Sequence, residues 1–125
     1  IIWNGSDISL MLEVNSESKS SWSRARTAAK KLFTEQQAWD KSMREFAAKN
    51  LTALANEWLA DDDEKNEAEP ITESVFAQRI TISELSVTSG GSFTAYYNDD
   101  DMFWGHAVEV GGSLKKGITY TNITG

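Results

Sequence analysis

The chemistry-bearing side chains of this 125-residue chain are a single histidine, His106, and 19 carboxylates, with no cysteine among them. His106 follows Trp104 and Gly105, and an imidazole there could serve as a general base or a ligand. The sequence fixes no partner for it. A nucleophilic triad needs serine or cysteine in an identifiable context, and a zinc site needs three or four His, Cys or carboxylate ligands. Only a carboxylate-rich metal site therefore stays open. Asp61 to Glu69 and the turn Asp99 to Asp101 could offer oxygens to calcium, but the EF-hand template fails: counting from Asp61, the third ligand position is Lys65, the required glycine is Asn66 and the closing glutamate is Thr72. These residues give no catalytic, cofactor or metal site. His106 is expected to be structural, its ring bonded to backbone or a carboxylate beneath a helix layer. Gly105 is expected to let a ring or a neighbouring segment lie close to a strand.

The distribution of charge says more than its total. The net charge is -7, yet residues 1–60 carry eight Lys/Arg and seven Asp/Glu, whereas residues 61–125 carry four and twelve. An acidic domain does not favour nucleic acid or an anionic membrane, because both bind through lysine and arginine. A basic protein is the natural counterpart. The cationic run Lys19 to Lys31 has no glycine-rich phosphate loop beside it in sequence and no interleaved aromatics for base stacking, so it reads as a solvated helix face.

No apolar run approaches the roughly 18 residues of a membrane span, and no signal-peptide pattern opens the chain. The absence of cysteine fits a reducing compartment, and the cytoplasm is expected. The chain opens at Ile1-Ile2-Trp3 as if within a strand, so further residues are expected upstream.

Periodicity places the elements. From Thr34 to about Leu59, Trp39, Met43, Phe46, Ala47, Leu51, Leu54 and Trp58 recur at steps of three and four, the face of a long helix. A shorter helix precedes it, capped among Ser18 to Ser21, with Trp22, Ala25, Ala29, Leu32 and Phe33 inward. Thr34 and Gln37 have capping-box spacing and mark the bend between the two. Before them, Ile1 to Asn4 and the alternating Ile8 to Val14 read as a hairpin around Asn4-Gly5. After the solvated acidic loop ending at Pro70, Thr72 caps a short helix with Val75 and Phe76 inward. A strand follows whose alternation slips between Ile82 and Leu85, the mark of a bulge. Ser89-Gly90-Gly91 and Asp99 to Asp101 turn a meander through Phe93 to Tyr97 and Phe103 to Val110, closed by Gly111-Gly112. The threonine- and isoleucine-rich tail favours a strand by propensity.

Trp3-Asn4-Gly5, Trp39-Asp40 with Arg44-Glu45-Phe46-Ala47, Asn56-Glu57-Trp58-Leu59, Phe103-Trp104-Gly105-His106 and the tail Gly112 to Gly125 together resemble a family of uncharacterised bacterial proteins, domain of unknown function 2262. The resemblance spans nearly the whole chain and departs at Tyr120, where an acidic residue is usual. It implies a compact α+β domain of bacterial cytoplasmic origin and a short helix after Thr119, against the propensity reading. It implies no reaction.

The expected architecture is one α+β domain over residues 1–125, two-layered, an antiparallel sheet of about five strands with a helical hairpin and a short helix packed on one face. Leu10, Leu12, Phe33, Met43, Phe46, Leu54, Leu85, Val87 and Phe93 are its expected core. The expected function is non-catalytic protein binding, most concretely an immunity protein or inhibitor that takes a basic toxin or nuclease domain through Asp61, Asp62, Asp63, Glu64, Asp99, Asp100 and Asp101. Tyr96 and Trp104 are the expected aromatic anchors. Two alternatives stand beside it: a scaffold module using an exposed aromatic sheet face, and a hydrolase or metal-dependent enzyme centred on His106.

Overall fold

The computed structural model describes residues 1–14, 18–65 and 67–124; expectations falling on Asn15, Ser16, Glu17, Asn66 and Gly125 lie outside the described residues. The chain begins with β1 (Ile2–Trp3) and β2 (Ser6–Asp7), a miniature hairpin around Asn4 and Gly5, whose φ angles of 51° and 89° are those an Asn-Gly turn favours. The expected pairing of Ile1–Asn4 with Ile8–Val14 does not form. Instead β3 (Ser9–Glu13) leaves to join the main sheet, keeping its alternation, with Leu10 and Leu12 half-buried and Ser9, Met11 and Glu13 exposed.

Two helices follow. α1 (Lys19–Thr34) is capped by Ser18, whose Oγ accepts from the Ser21 amide at 3.2 Å. Its buried face is made of Ala25, Ala28, Ala29 and Leu32, small enough to let the helix approach the sheet closely, and Trp22 is turned out with 45% of its surface exposed. α2 (Gln36–Ala60) begins after a break at Glu35. The Thr34–Gln37 capping box is absent: the Thr34 hydroxyl donates back to the Lys30 carbonyl, and no side chain caps α2. α2 buries Met43, Ala47, Ala48, Leu51 and Ala55 as its stripe requires, but also Asp40. Phe46 lies at the margin of that stripe and is only half-buried, outside the core cluster.

α3 (Glu73–Arg79) starts at Thr72, whose hydroxyl accepts from the Val75 amide; Phe76 faces in and Val75 faces out. The remaining strands are β4 (Thr81–Thr88), β5 (Ser92–Asn98), β6 (Ala107–Ser113) and β7 (Gly117–Thr124), giving the sheet order β3-β4-β5-β6-β7. The slip anticipated in β4 is a register shift between Ile82 and Glu84. The sheet is mixed: β3 runs parallel to β4, with Leu10 opposite Leu85 and Leu12 opposite Val87, because all three helices intervene between the two strands.

The other pairings are antiparallel. Phe103 to Gly105 belong to the turn, so β6 begins later than expected, and Gly111-Gly112 lie inside β6 at a bulge rather than closing the meander. The tail is a strand and not the helix that the family resemblance implied. Thr121 and Ile123 pair opposite Val110 and Val108, and the Thr121 hydroxyl donates to the Glu109 carbonyl at 2.8 Å. The Tyr120 ring covers Gly111, where a Cβ would sit 2.3 Å from it, so any larger residue there would displace the ring.

α1 lies over β3 and β4, and α2 over β6 and β7. Phe93, Ala95 and Tyr97 of β5 are buried beneath them, with Trp39 edge-on to Phe93 at 5.1 Å. Of the expected core, Met43, Leu85, Val87 and Phe93 are buried, and Leu10, Leu12, Phe33 and Leu54 are half-buried against it. Replacing Met43 with alanine is expected to cost about 2–5 kcal/mol in urea unfolding, and Phe46→Ala distinctly less. Equal losses would show that the stripe faces the sheet at a different rotation.

Candidate functional site

Asp40 is the buried acid that the apolar periodicity concealed. One helical turn before Met43 on α2, it is 4% exposed, and all of its acceptor capacity is engaged. Oδ1 accepts from the Tyr97 hydroxyl at 2.7 Å and from Trp3 Nε1 at 3.3 Å; Oδ2 accepts from Arg44 Nε at 2.7 Å and from Asn4 Nδ2 at 3.2 Å. Arg44 is held in turn, its Nη1 donating to the carbonyls of Ala77 (2.8 Å) and Ile80, where α3 ends. Its guanidinium carbon stands 5.4 Å from the centre of the Tyr97 ring. The sequence signal was present as an acid four residues before an arginine with the acid on the apolar face. A groove of about 590 Å³ between α2 and α3 opens over this pair, lined by Lys41, Glu45 and Glu73 among others, so acids and bases are mixed along it with one acid in excess.

A second constellation gathers at the C-terminal end of α2. Trp58 packs edge-on to Phe103 at 5.5 Å and to His106 at 5.6 Å, and tilted against Trp104 at 4.7 Å. His106 Nδ1 lies 2.7 Å from the Phe103 carbonyl, an acceptor only, so that nitrogen carries the proton. The imidazole is half-buried and bonded to backbone as the sequence reading expected. Gly105 has open space around it and φ of 92°; it is needed for its backbone conformation, not for the close approach anticipated.

The turn from Asp99 to Gly105 is built on Asp99. Its Oδ1 accepts from the Asp101 amide at 3.1 Å, and its Oδ2 from the Phe103 and Gly105 amides at 2.8 and 3.0 Å. Those bonds hold Asp100, Asp101 and Trp104 at φ of 49°, 64° and 57°, left-handed conformations that cost energy without such support. Asp99 is 5% exposed, so its expected place on an outward binding surface is corrected: it shapes the turn that presents its neighbours.

Asp61, Asp63 and Glu64 are exposed in the segment after α2, and Asp62 is half-buried, its Oδ1 accepting from the Glu64 amide. This segment and the 99–105 turn meet. Lys65 Nζ is 3.4 Å from Asp101, Arg79 Nε is 2.8 Å from Asp100, and a pocket of about 260 Å³ is lined by Leu59, Asp62, Lys65, Arg79, Asp101 and Trp104. Arg79 was not anticipated. Trp104 is 54% exposed beside these acids. Tyr96 is elsewhere, half-buried on the open sheet face between Glu84 and Glu109 of the adjoining strands, its hydroxyl 3.4 Å from Glu109. Burial first, and then the Glu109 charge, push that phenol above its ordinary range.

Among the described residues no group of three or more His, Cys, Asp or Glu is arranged to hold a metal ion, and no helix is long and apolar enough to cross a membrane. Fold and site define a small α+β domain with one buried ionic network and one acidic end. The chain belongs to the DUF2262 family of uncharacterised proteins conserved in bacteria, whose model matches residues 1–123. No curated protein and no solved structure matches it. Eight of the residues that carried the resemblance fall into the two constellations: Trp3, Asn4, Asp40 and Arg44 in one, and Trp58, Phe103, Trp104 and His106 in the other.

Removing one member of the Asp40 network leaves the others buried and unpaired. Asp40→Ala is expected to cost about 3–5 kcal/mol and Tyr97→Phe about 1–3 kcal/mol. Burial, followed by the charge and hydrogen bond of Asp40, raises the Tyr97 phenol well above its ordinary 10.0, with Arg44 opposing. A folded value above the unfolded one means the stabilisation is complete below about pH 10 and is lost as pH rises through the folded value. In urea titrations the stability gap between wild type and Tyr97→Phe should therefore close in alkali. A gap that stays constant as pH rises above 10 would refute this.

Proposed function

We propose that this chain is a non-catalytic protein-binding domain, most concretely an immunity protein or inhibitor that neutralises a basic toxin or nuclease domain. The observation that carries the reading is the meeting of the segment after α2, through Asp62 and Lys65, with the 99–105 turn at one end of the domain, around the half-exposed indole of Trp104. The local electrostatics are unfavourable to the domain on its own. The 25-residue helix α2 ends there with no basic residue in its last turn, so its own partial negative charge adds to Asp61, Asp62, Asp63 and Glu64. Helix C-termini ordinarily take cations; among the described residues only Lys65 and Arg79 answer the acids, through Asp101 and Asp100. Lysines and arginines from a partner would relieve that repulsion and be steered toward it from a distance. Trp104, supported from beneath by Trp58, supplies the rigid aromatic anchor that interface centres favour.

The residues assigned to the contact are Asp61, Asp62, Asp63, Glu64, Asp100, Asp101 and Trp104, with Asp99 positioning the last three. A cytoplasmic site of action accords with a cysteine-free domain of this kind.

A second reading, a scaffold module working through the open sheet face, is favoured by one observation: Tyr96 and Tyr120 lie on the face that the helices leave uncovered, with Met11 exposed on β3 of the same sheet. No reaction is drawn from His106, whose ring is bonded to no carboxylate among the described residues.

The test is co-expression with a basic toxin-like protein encoded beside it. A salt-sensitive one-to-one complex is expected, with the double reversal Asp62→Lys, Asp101→Lys lowering the association rate by at least about tenfold. Trp104→Ala is expected to cost about 2 kcal/mol or more of binding energy. Binding indifferent to salt and to these changes but abolished by Tyr96→Ala would transfer the function to the sheet face, and failure to protect against or bind the neighbour would remove the immunity reading.

A further inference from the structure

The end of the sheet opposite the acids has the reverse character. Turns of an antiparallel meander alternate ends, so the β4–β5 turn (residues 89–91) and the β6–β7 turn (residues 114–116) lie together, away from residues 99–105, and the Leu114 amide donates to the Gly91 carbonyl at 2.9 Å. Over them runs α1, presenting Arg24, Thr27 and Lys31 at intervals of three and four on one face. These residues and Lys115 line a groove of about 360 Å³ with Ser23 and the Gly90-Gly91 turn, and no carboxylate lines it.

We infer that this groove is a binding site for a small phosphate-bearing ligand, a phosphate monoester or a diphosphate. Three cationic residues line it in a chain whose net charge is -7, and among the described residues Arg24, Lys31 and Lys115 make no ion pair with any of its carboxylates. Like charges along one groove repel one another, and a di- or trianion between them removes that repulsion; Glu35, the acid next to Lys31, lines the adjoining cavity and not this one. Arginine and lysine from a helix and a serine hydroxyl donor are groups that receive phosphate oxygens; the Gly90-Gly91 turn only keeps bulk out of the groove, its Gly91 amide being bonded to the Thr88 carbonyl.

No aromatic side chain lines the groove, so a nucleobase has nothing to stack on and recognition falls on the phosphate. The volume is near the lower end of small-molecule sites, roughly 300–1,000 Å³, and suits a diphosphate or a sugar phosphate more than a polymer. The site lies at the other end from the proposed protein contact and does not depend on it.

Isothermal titration calorimetry of the full chain with pyrophosphate and with glucose 6-phosphate, at fixed ionic strength, tests this directly. Saturable one-to-one binding of at least one is expected, weakened about tenfold or more by each of Arg24→Gln, Lys31→Gln and Lys115→Gln. Lys49→Gln, on the exposed side of α2, should leave it unchanged. The three positions are exposed and belong to two separate elements, and circular dichroism checks that each variant folds. The inference is overturned by the absence of saturable binding, by sulfate binding as well as pyrophosphate with no effect of the substitutions, or by a single-stranded oligonucleotide binding more tightly than either small ligand.

Discussion

A carboxylate taken out of water between a helix and a sheet must be fully hydrogen-bonded, or the two layers do not close. Asp40 reaches that condition only when distant parts of the chain are all in place: Trp3 and Asn4 from the opening hairpin, Arg44 from the next turn of α2, and Tyr97 from the centre of β5. Through Arg44 the requirement extends to the end of α3. The network adds little net stability compared with an apolar core of the same shape, because desolvating two charges offsets most of their attraction. What it provides is a penalty on every arrangement in which one member is displaced. The miniature hairpin, too short to be stable alone, is fixed to the helices by these bonds.

That junction leaves the two ends of the domain free to differ. Antiparallel connectivity sends the 99–105 turn to one end and the two glycine- and lysine-containing turns to the other, and the helices follow. The C-terminus of α2 brings its acidic continuation to the first end, while the cationic face of α1 lies over the second. Among the described residues no ion pair joins the basic face of α1 to the acidic loops. The charge asymmetry between the two halves of the sequence becomes an asymmetry in space.

The aromatic corner at the acidic end follows the same logic of support. Trp58 is held by α2 and backs Trp104, whose left-handed backbone is in turn held by the Asp99 carboxylate. An indole half out of water on a strained turn would be poorly defined without these two supports. With them it is a fixed surface feature beside exposed acids.

The sequence alone determined whatever repeats over a few residues. Its 3.6-residue period set α2, the alternation of Ile8, Leu10 and Leu12 set β3, Ser18 and Thr72 set helix starts, and the broken alternation after Ile82 set the bulge. The strand propensity of Ile118 to Thr124 was the correct guide to the tail, where family resemblance was not. Tertiary structure decided everything that depends on what lies opposite. It set β3 parallel to β4, moved Phe46 off the core and buried Asp40. It turned Asp99 from a surface acid into the holder of its own turn, and it carried Lys115 and Gly90-Gly91 to the face of α1. The physical reason is that periodicity is a property of neighbours along the chain, whereas desolvation and charge pairing are properties of neighbours in space.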